Sequence, residues 1–463
     1  MSDEDRGGPD PVHADGRASA RHGHVPTAIR AWSRAAHTAG PAASAPEFPF
    51  TEATRTLRAY GTGALPAELA AALVEAAATA WSRAGTAPAE SWFTAHWLRC
   101  ATATATATQT YETYTMCGLL DQYCRAGTTG YEETANVLSA ALVADLIQHE
   151  LRMAHRGRSG ARSAAATRLA GDLRQALSPD SARPRPLGPD TALRFCARLI
   201  SGLCRNRPSA LRRIVECTPL PATTEPDEYL FNRSVQIMEI LSGAAAAQAA
   251  DAGRCGPREL PELVSRLGAL TRTLRHAARL FHIVSTIDAG QFARIRAATY
   301  GTGALQSPAF AALERYCRGE RALRPELLTA VPVAGSPLPD VPLGQALEGL
   351  RLTLEVPAAV RLEDAVAAVD TAWLRWKRAH HGVARRIIGD VPGTGRTDGV
   401  SYLSRHMNAP LLTHHDRQET PGGPHDAPGV PPVRSRDRRL DRRLLGTPRI
   451  PSGGPGRRAG SGT

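Results

Sequence analysis

From Leu362 the apolar positions step by four and three: Leu362, Val366, Val369, Trp373, Trp376, then Val383 and Ile387. That is the repeat of one helix face. His380 fills the stripe position between Trp376 and Val383, and His381 is turned about 100° away. The same steps recur in "PAELAAALVEAAATAWSRAG" and "YEETANVLSAALVADLIQHELRMAHRG", which predict further amphipathic helices. No stretch alternates convincingly as a strand. "ATATATAT" (101–108) alternates only in composition and sits between helical stretches. The predicted class is all-α.

Polar and proline-rich stretches divide the chain. Residues 1–45 lack periodicity and read as a disordered tail. Residues 46–178 read as a helical domain of unknown role, with packing or oligomerisation as the default. Residues 179–204 hold a linker and the first helix of a second unit; "SPDSARPRPLGPD" brings four prolines there. Residues 205–412 form that second helical unit, interrupted by "VPVAGSPLPDVPLG". Residues 413–463, rich in Arg, Pro and Gly, read as a disordered tail. The hexamer "YGTGAL" occurs at Tyr60–Leu65 and at Tyr300–Leu305 without matching flanks, which points to chance in a Gly/Ala/Thr-rich chain.

At 463 residues, two or three domains and a buried core are expected. No run of about 18 apolar residues exists, and the N-terminus carries no secretory h-region. The expectation is a cytoplasmic protein without a membrane span. Eight cysteines form no C-x-x-C, which suits free, mostly buried thiols. The net charge of +12 is almost wholly arginine, and Lys377 is the only lysine. Ten arginines against five acids after Thr413 make a basic tail. Such a tail is a candidate for nucleic-acid binding, though a solvated tail is the plainer reading, so nucleic acid is not the expected partner. His149–Glu150 has the residue types of a metal site, but a lone pair on a helix reads as a solvated face.

A histidine on an apolar stripe between tryptophans and Val/Ile is a satisfied core histidine or an iron ligand. The loop "DVPGTGRTDG" follows that helix directly. Its glycine N–H groups and a threonine hydroxyl suit a small polar ligand. It lacks a Walker lysine and does not open a helix from a strand, which argues against a nucleotide.

His380 with Arg386, Gly389 and "GTGRTDGVSYL" resembles the C-terminal signature of the tryptophan 2,3-dioxygenases, a family within the haem-dependent tryptophan/indoleamine dioxygenase superfamily. "TPLPATTEPDEYLF" (218–231) resembles the entry to that family's distal helix, where Glu239 matches a glutamate. "STIDAGQFARIRAATYGTGALQSPAFAALE" (285–314) resembles its substrate-contacting segment. The resemblance covers 205–412 and implies a helical haem-binding bundle with haem b and O2 as co-substrate. It implies that His380 is the proximal iron ligand, with Trp376 beside the porphyrin. Arg296 then grips the amino-acid carboxylate, which suits a guanidinium fork. Phe292 and Phe231 wall the pocket. Thr394 contacts the zwitterionic end of the substrate, with the backbone of Gly393 and Gly395 closing over it. A homotetramer is implied as well.

Departures accompany the matches. The family's distal histidine is Val235 here, a later aromatic is Leu241, and the tyrosines that precede the distal helix are not visible in "CRNRPSALRR". No catalytic side chain is therefore assigned on the distal side. The expected activity is oxidation of the indole of L-tryptophan, or of a substituted tryptophan, to an N-formylkynurenine-type product. A haem monooxygenase tailoring a modified aromatic amino acid in secondary metabolism is the first alternative. A non-catalytic helical binding protein is the second.

Overall fold

Helix α1 (Val25–Thr38) lies inside the stretch expected to be disordered, and that expectation is corrected. Val25, Ile29, Trp32 and Ala36 step by four, three and four, and all four are buried. The polar ends of residues 1–45 mask this stripe when composition is averaged over the whole segment. The computed structural model describes residues 24–39, 46–84, 89–154, 160–178, 186–205, 209–299, 302–319, 341–393 and 397–412. The Arg-rich tail, Thr394 and Gly395 lie outside the described residues.

Among the described residues the protein is all-helical, with no strand. After α1 come α2 (Phe50–Tyr60), α3 (Ala67–Ala84), α4 (Ala89–Thr102), α5 (Tyr111–Thr115), α6 (Cys117–Arg125), α7 (Tyr131–Ala154) and α8 (Gly160–Leu177). Then follow α9 (Pro189–Arg205), α10 (Ser209–Cys217), α11 (Pro226–Ala252), α12 (Leu260–Val284) and α13 (Ala289–Ala298). The chain continues with α14 (Pro308–Arg318), α15 (Leu343–Arg351), α16 (Val356–Ile387) and α17 (Val400–His406). The alternating 101–108 run ends α4 and then turns. Its threonine hydroxyls bond back to carbonyls, as Thr106 Oγ1 does to Thr102 O at 3.0 Å, which competes with extended structure.

Residues 46–178 and 205–412 share one interior. A single apolar cluster runs from Val25 through Trp97, Leu142 and Ile240 to Ile387, and the described residues all belong to one compact unit. A second cluster gathers Leu267, Leu313, Leu362, Val369 and Trp373, and Trp376 packs against both. The α7 helix packs along α11. Among the described residues no helix is long and apolar enough to cross a membrane. All eight cysteines are free; six are buried and two are half-buried.

The short helix α5 has too few residues to hold itself. Thr110 caps it, accepting from the Thr113 N–H at 3.2 Å. A buried polar stripe on α11 then holds it in place. Asn232 Nδ2 donates to Tyr114 O and Gln236 Nε2 to Thr115 O, both at 3.0 Å. The Tyr114 hydroxyl donates to Glu228 Oε1 at 3.1 Å, and that of Tyr111 to Glu239 Oε1. Each bond contributes about 1 kcal/mol net, but each polar group would cost more than that if left unpartnered in the interior. The stripe therefore specifies where α5 sits more than it adds stability.

Candidate functional site

Helix α12 packs against α11 on one side and α16 on the other, so a wedge opens between α11 and α16. A cavity of about 280 Å³ fills it. The α11 face is Phe231, Ser234, Val235, Met238, Glu239 and Ser242, spaced as one helix face. The α16 face is Trp376, Lys377, His380, Val383, Ala384 and Ile387. Phe281 and Val284 of α12 also line the cavity, and Phe292 and Arg296 enter from α13.

Every described residue assigned to the site by sequence lines this one cavity: Phe231, Phe292, Arg296, Trp376, His380 and Gly393, with Val235 at the distal position. His380 is half-buried. Its ring lies over Phe281 at 5.4 Å and 12°, and 5.5 Å from Trp376. Trp376 in turn stacks on Trp373 at 5.4 Å. Phe231 and Phe292 meet edge to face at 5.1 Å. His381, off the stripe as expected, bonds Ser404 Oγ through Nε2 at 2.9 Å.

Arg296 is half-buried. Its Nη2 donates to the Pro392 carbonyl, while its buried Nε has no hydrogen-bond partner. The Ser234 hydroxyl in the cavity wall is likewise buried and unpartnered. Two orphaned polar atoms beside one largely apolar cavity are a sign that a polar ligand completes them.

The glycine loop folds on itself through Gly393 N–H to Thr397 O at 2.8 Å. Gly399 has φ 64°, and a Cβ there would lie 2.4 Å from the Val391 carbonyl oxygen, so only glycine fits. Beyond it, Tyr402, Leu403 and His406 cover the cavity. One face of α16 fastens this cover. Asp370 Oδ1 accepts from Leu411 N–H at 2.7 Å and Leu412 N–H at 2.8 Å. Trp373 Nε1 donates to Ala409 O at 3.2 Å, and Lys377 Nζ to His406 O at 2.8 Å and Ala409 O at 3.2 Å.

Sequence reasoning missed Tyr111, Tyr114, Lys377 and His406, all of which line the cavity. "QTYETYTM" stood out only as aromatic-rich. The signal available for Lys377 was its being the sole lysine.

Glu239 is the buried carboxyl of the cavity wall. Burial pushes its pKa up to about 6, against hydrogen bonds from Ser307, Tyr111 and the Ala309 N–H that act the other way. Burial first, and then the Glu239 charge, hold Tyr111 well above the usual phenol range. A carboxyl raised on folding keeps its proton where the unfolded chain has lost it. Its stabilising effect is therefore complete at low pH and is lost as pH rises through about 6. Glu239→Gln, always neutral, is expected to gain on wild type by about 1–2 kcal/mol between pH values near 4.5 and 8. Urea unfolding at both pH values checks this; a stability difference that does not change with pH would refute it.

A wider groove of about 490 Å³ is bordered by Arg162, Asp227, Asp288 and Arg386. Arg162 and Asp227 already neutralise each other there, and the sequence-derived site residues lie in the other cavity. Among the described residues no three His, Cys, Asp or Glu side chains are grouped to hold a bare metal ion. No protein-family model matches the chain, and a search of curated proteins finds no match.

Proposed function

We propose that the chain is a haem-dependent oxygenase of aromatic amino acids, acting with O2 on the indole ring of L-tryptophan or a substituted tryptophan. The observation that carries the reading is the convergence of Phe231, Phe292, Arg296, Trp376, His380 and Gly393, from separate segments, on one cavity. A fit to haem b rests on the donor set. His380 offers a single imidazole from an aromatic wall, which suits a cofactor that brings its own equatorial ligands. Haem there would supply O2 binding and activation at its iron.

The chain's own residues would hold the substrate. Arg296, by exchanging the Pro392 carbonyl for a carboxylate, would clamp the amino-acid end and satisfy its orphaned Nε. Gly393, with Thr394 and Gly395 of the same loop, would close over that end. Phe231 and Phe292 would fix the ring plane, and the cover fastened by Asp370, Trp373 and Lys377 would exclude water. Positioning of this kind supplies a large part of a rate enhancement. By resemblance the active form is a homotetramer.

Val235 favours a second version. A valine at the cavity wall gives the indole N–H no partner. That suits a substituted ring or insertion of one oxygen atom. The test is to reconstitute the full chain with haem, reduce it, add L-tryptophan under air and weigh the product. A gain of two oxygen atoms is expected of the dioxygenase and one of the monooxygenase. Intact substrate for every aromatic amino acid offered would sink the oxygenase reading.

A further inference from the structure

The cavity carries opposite charges at two levels. Arg296 stands four residues after Phe292, which meets Phe231 at 5.1 Å. Glu239 lies eight residues beyond Phe231 on α11, about 12 Å of helix rise. Between them the same face presents Val235 and Met238. The groups that reach Glu239 are the uncharged donors Tyr111, Ser307 and the Ala309 N–H, and Asp121 adds a like charge. Asp227, also buried, instead has the Arg162 guanidinium. Glu239 itself lines the cavity, and a carboxylate offers about four acceptor positions.

We propose that Glu239 accepts a hydrogen bond from the ring end of the ligand, so that the cavity selects aromatic amino acids bearing a ring hydroxyl over the unsubstituted ones. The inference rests on the amino-acid reading of the cavity given above. With the carboxylate at Arg296 and the ring against Phe231 and Phe292, the far edge of the ring lies along α11 towards Glu239. A ring hydroxyl there completes the coordination of a buried anion. An unsubstituted ring leaves that position empty, and a polar site rejects an analogue that cannot bond it far more strongly than an apolar site rejects a small change of size.

Calorimetric titration of the full chain, reconstituted with ferric haem, with two matched pairs tests this: L-phenylalanine against L-tyrosine, and L-tryptophan against 5-hydroxy-L-tryptophan. In wild type the hydroxylated member of a pair is expected to bind roughly 10- to 100-fold more tightly. Glu239→Gln erases most of that gain. Tyr111→Phe removes a competing donor and enlarges it, an effect in the opposite direction that simple loss of structure does not produce. Arg296→Gln weakens all four ligands alike. Equal affinities within both pairs, or a gain that survives Glu239→Gln, overturns the inference while leaving the oxygenase reading intact. Failure of all four to bind wild type overturns both.

Discussion

His380→Ala is expected to abolish haem retention while leaving the helical fold in place. Wild type reconstituted with haem should show a Soret band that survives gel filtration, and the variant should show none. The ring of His380 lines the cavity, half-buried between Phe281 and Trp376. Its removal therefore enlarges a space that already exists and opens no new hole in packed core. The cost in stability stays at the low end for a large-to-small change, about 1–2 kcal/mol. Circular dichroism and the unfolding midpoint separate lost ligation from lost fold. Free imidazole supplies a further control, since it can occupy the vacated space and restore the band in the variant. Equal haem uptake by wild type and variant would remove His380 from the site. No uptake by either would remove the cofactor from the reading and leave an apolar cavity with a guanidinium at its mouth.

The largest expected effect on stability lies at Asp227. Its carboxylate takes both Nη atoms of Arg162 in the interior, and the Asp288 N–H at 2.8 Å at the edge of the groove. Arg162 belongs to α8, Asp227 opens α11 and Asp288 caps α13, so one carboxylate ties together three segments far apart in the chain. Asp227→Ala takes the bidentate partner from the Arg162 guanidinium and leaves it the Glu150 carboxylate at 3.7 Å and the Thr286 carbonyl at 2.6 Å. Breaking a buried pair costs about 3–5 kcal/mol when the charge is left uncompensated; with Glu150 still beside Arg162 the loss is expected at the low end, about 3 kcal/mol. Chemical denaturation should show that loss as a shift of a single transition, because residues 46–178 and 205–412 share their core. Two resolved transitions, with only one of them moved, would contradict a common interior.

What could be read from the sequence follows from what each kind of bond leaves in it. Apolar burial leaves a period, so α16 and the place of His380 in its stripe were legible before any coordinates. Local resemblance pointed to Arg296 and Phe292, whose place at the cavity no periodicity reveals. The α5 helix was not legible. It is positioned by Glu228, Asn232, Gln236 and Glu239 of α11, and polar residues in a stripe look like a solvated face until their partners are known. For the same reason Tyr111 and Tyr114 were missed: they reach the cavity from a segment more than a hundred residues upstream of α11. The helix Val25–Thr38 was hidden by the composition on either side of it, although its own stripe is regular.

Lys377 has a consequence for anyone handling the protein. The chain spends 55 of its 56 Lys and Arg positions on arginine, so its side chains offer amine reagents a single target. Lys377 is 8% exposed, and its amine is held under the cover by the carbonyls of His406 and Ala409. Labelling by an acylating or reductive-alkylating reagent therefore counts openings of one lid, without the background that lysines elsewhere would give. A lysine-directed protease likewise finds one side chain to recognise, inside a 32-residue helix. For bead coupling, crosslinking or isotope tagging through side-chain amines, the protein is silent while closed and answers at one address when it opens.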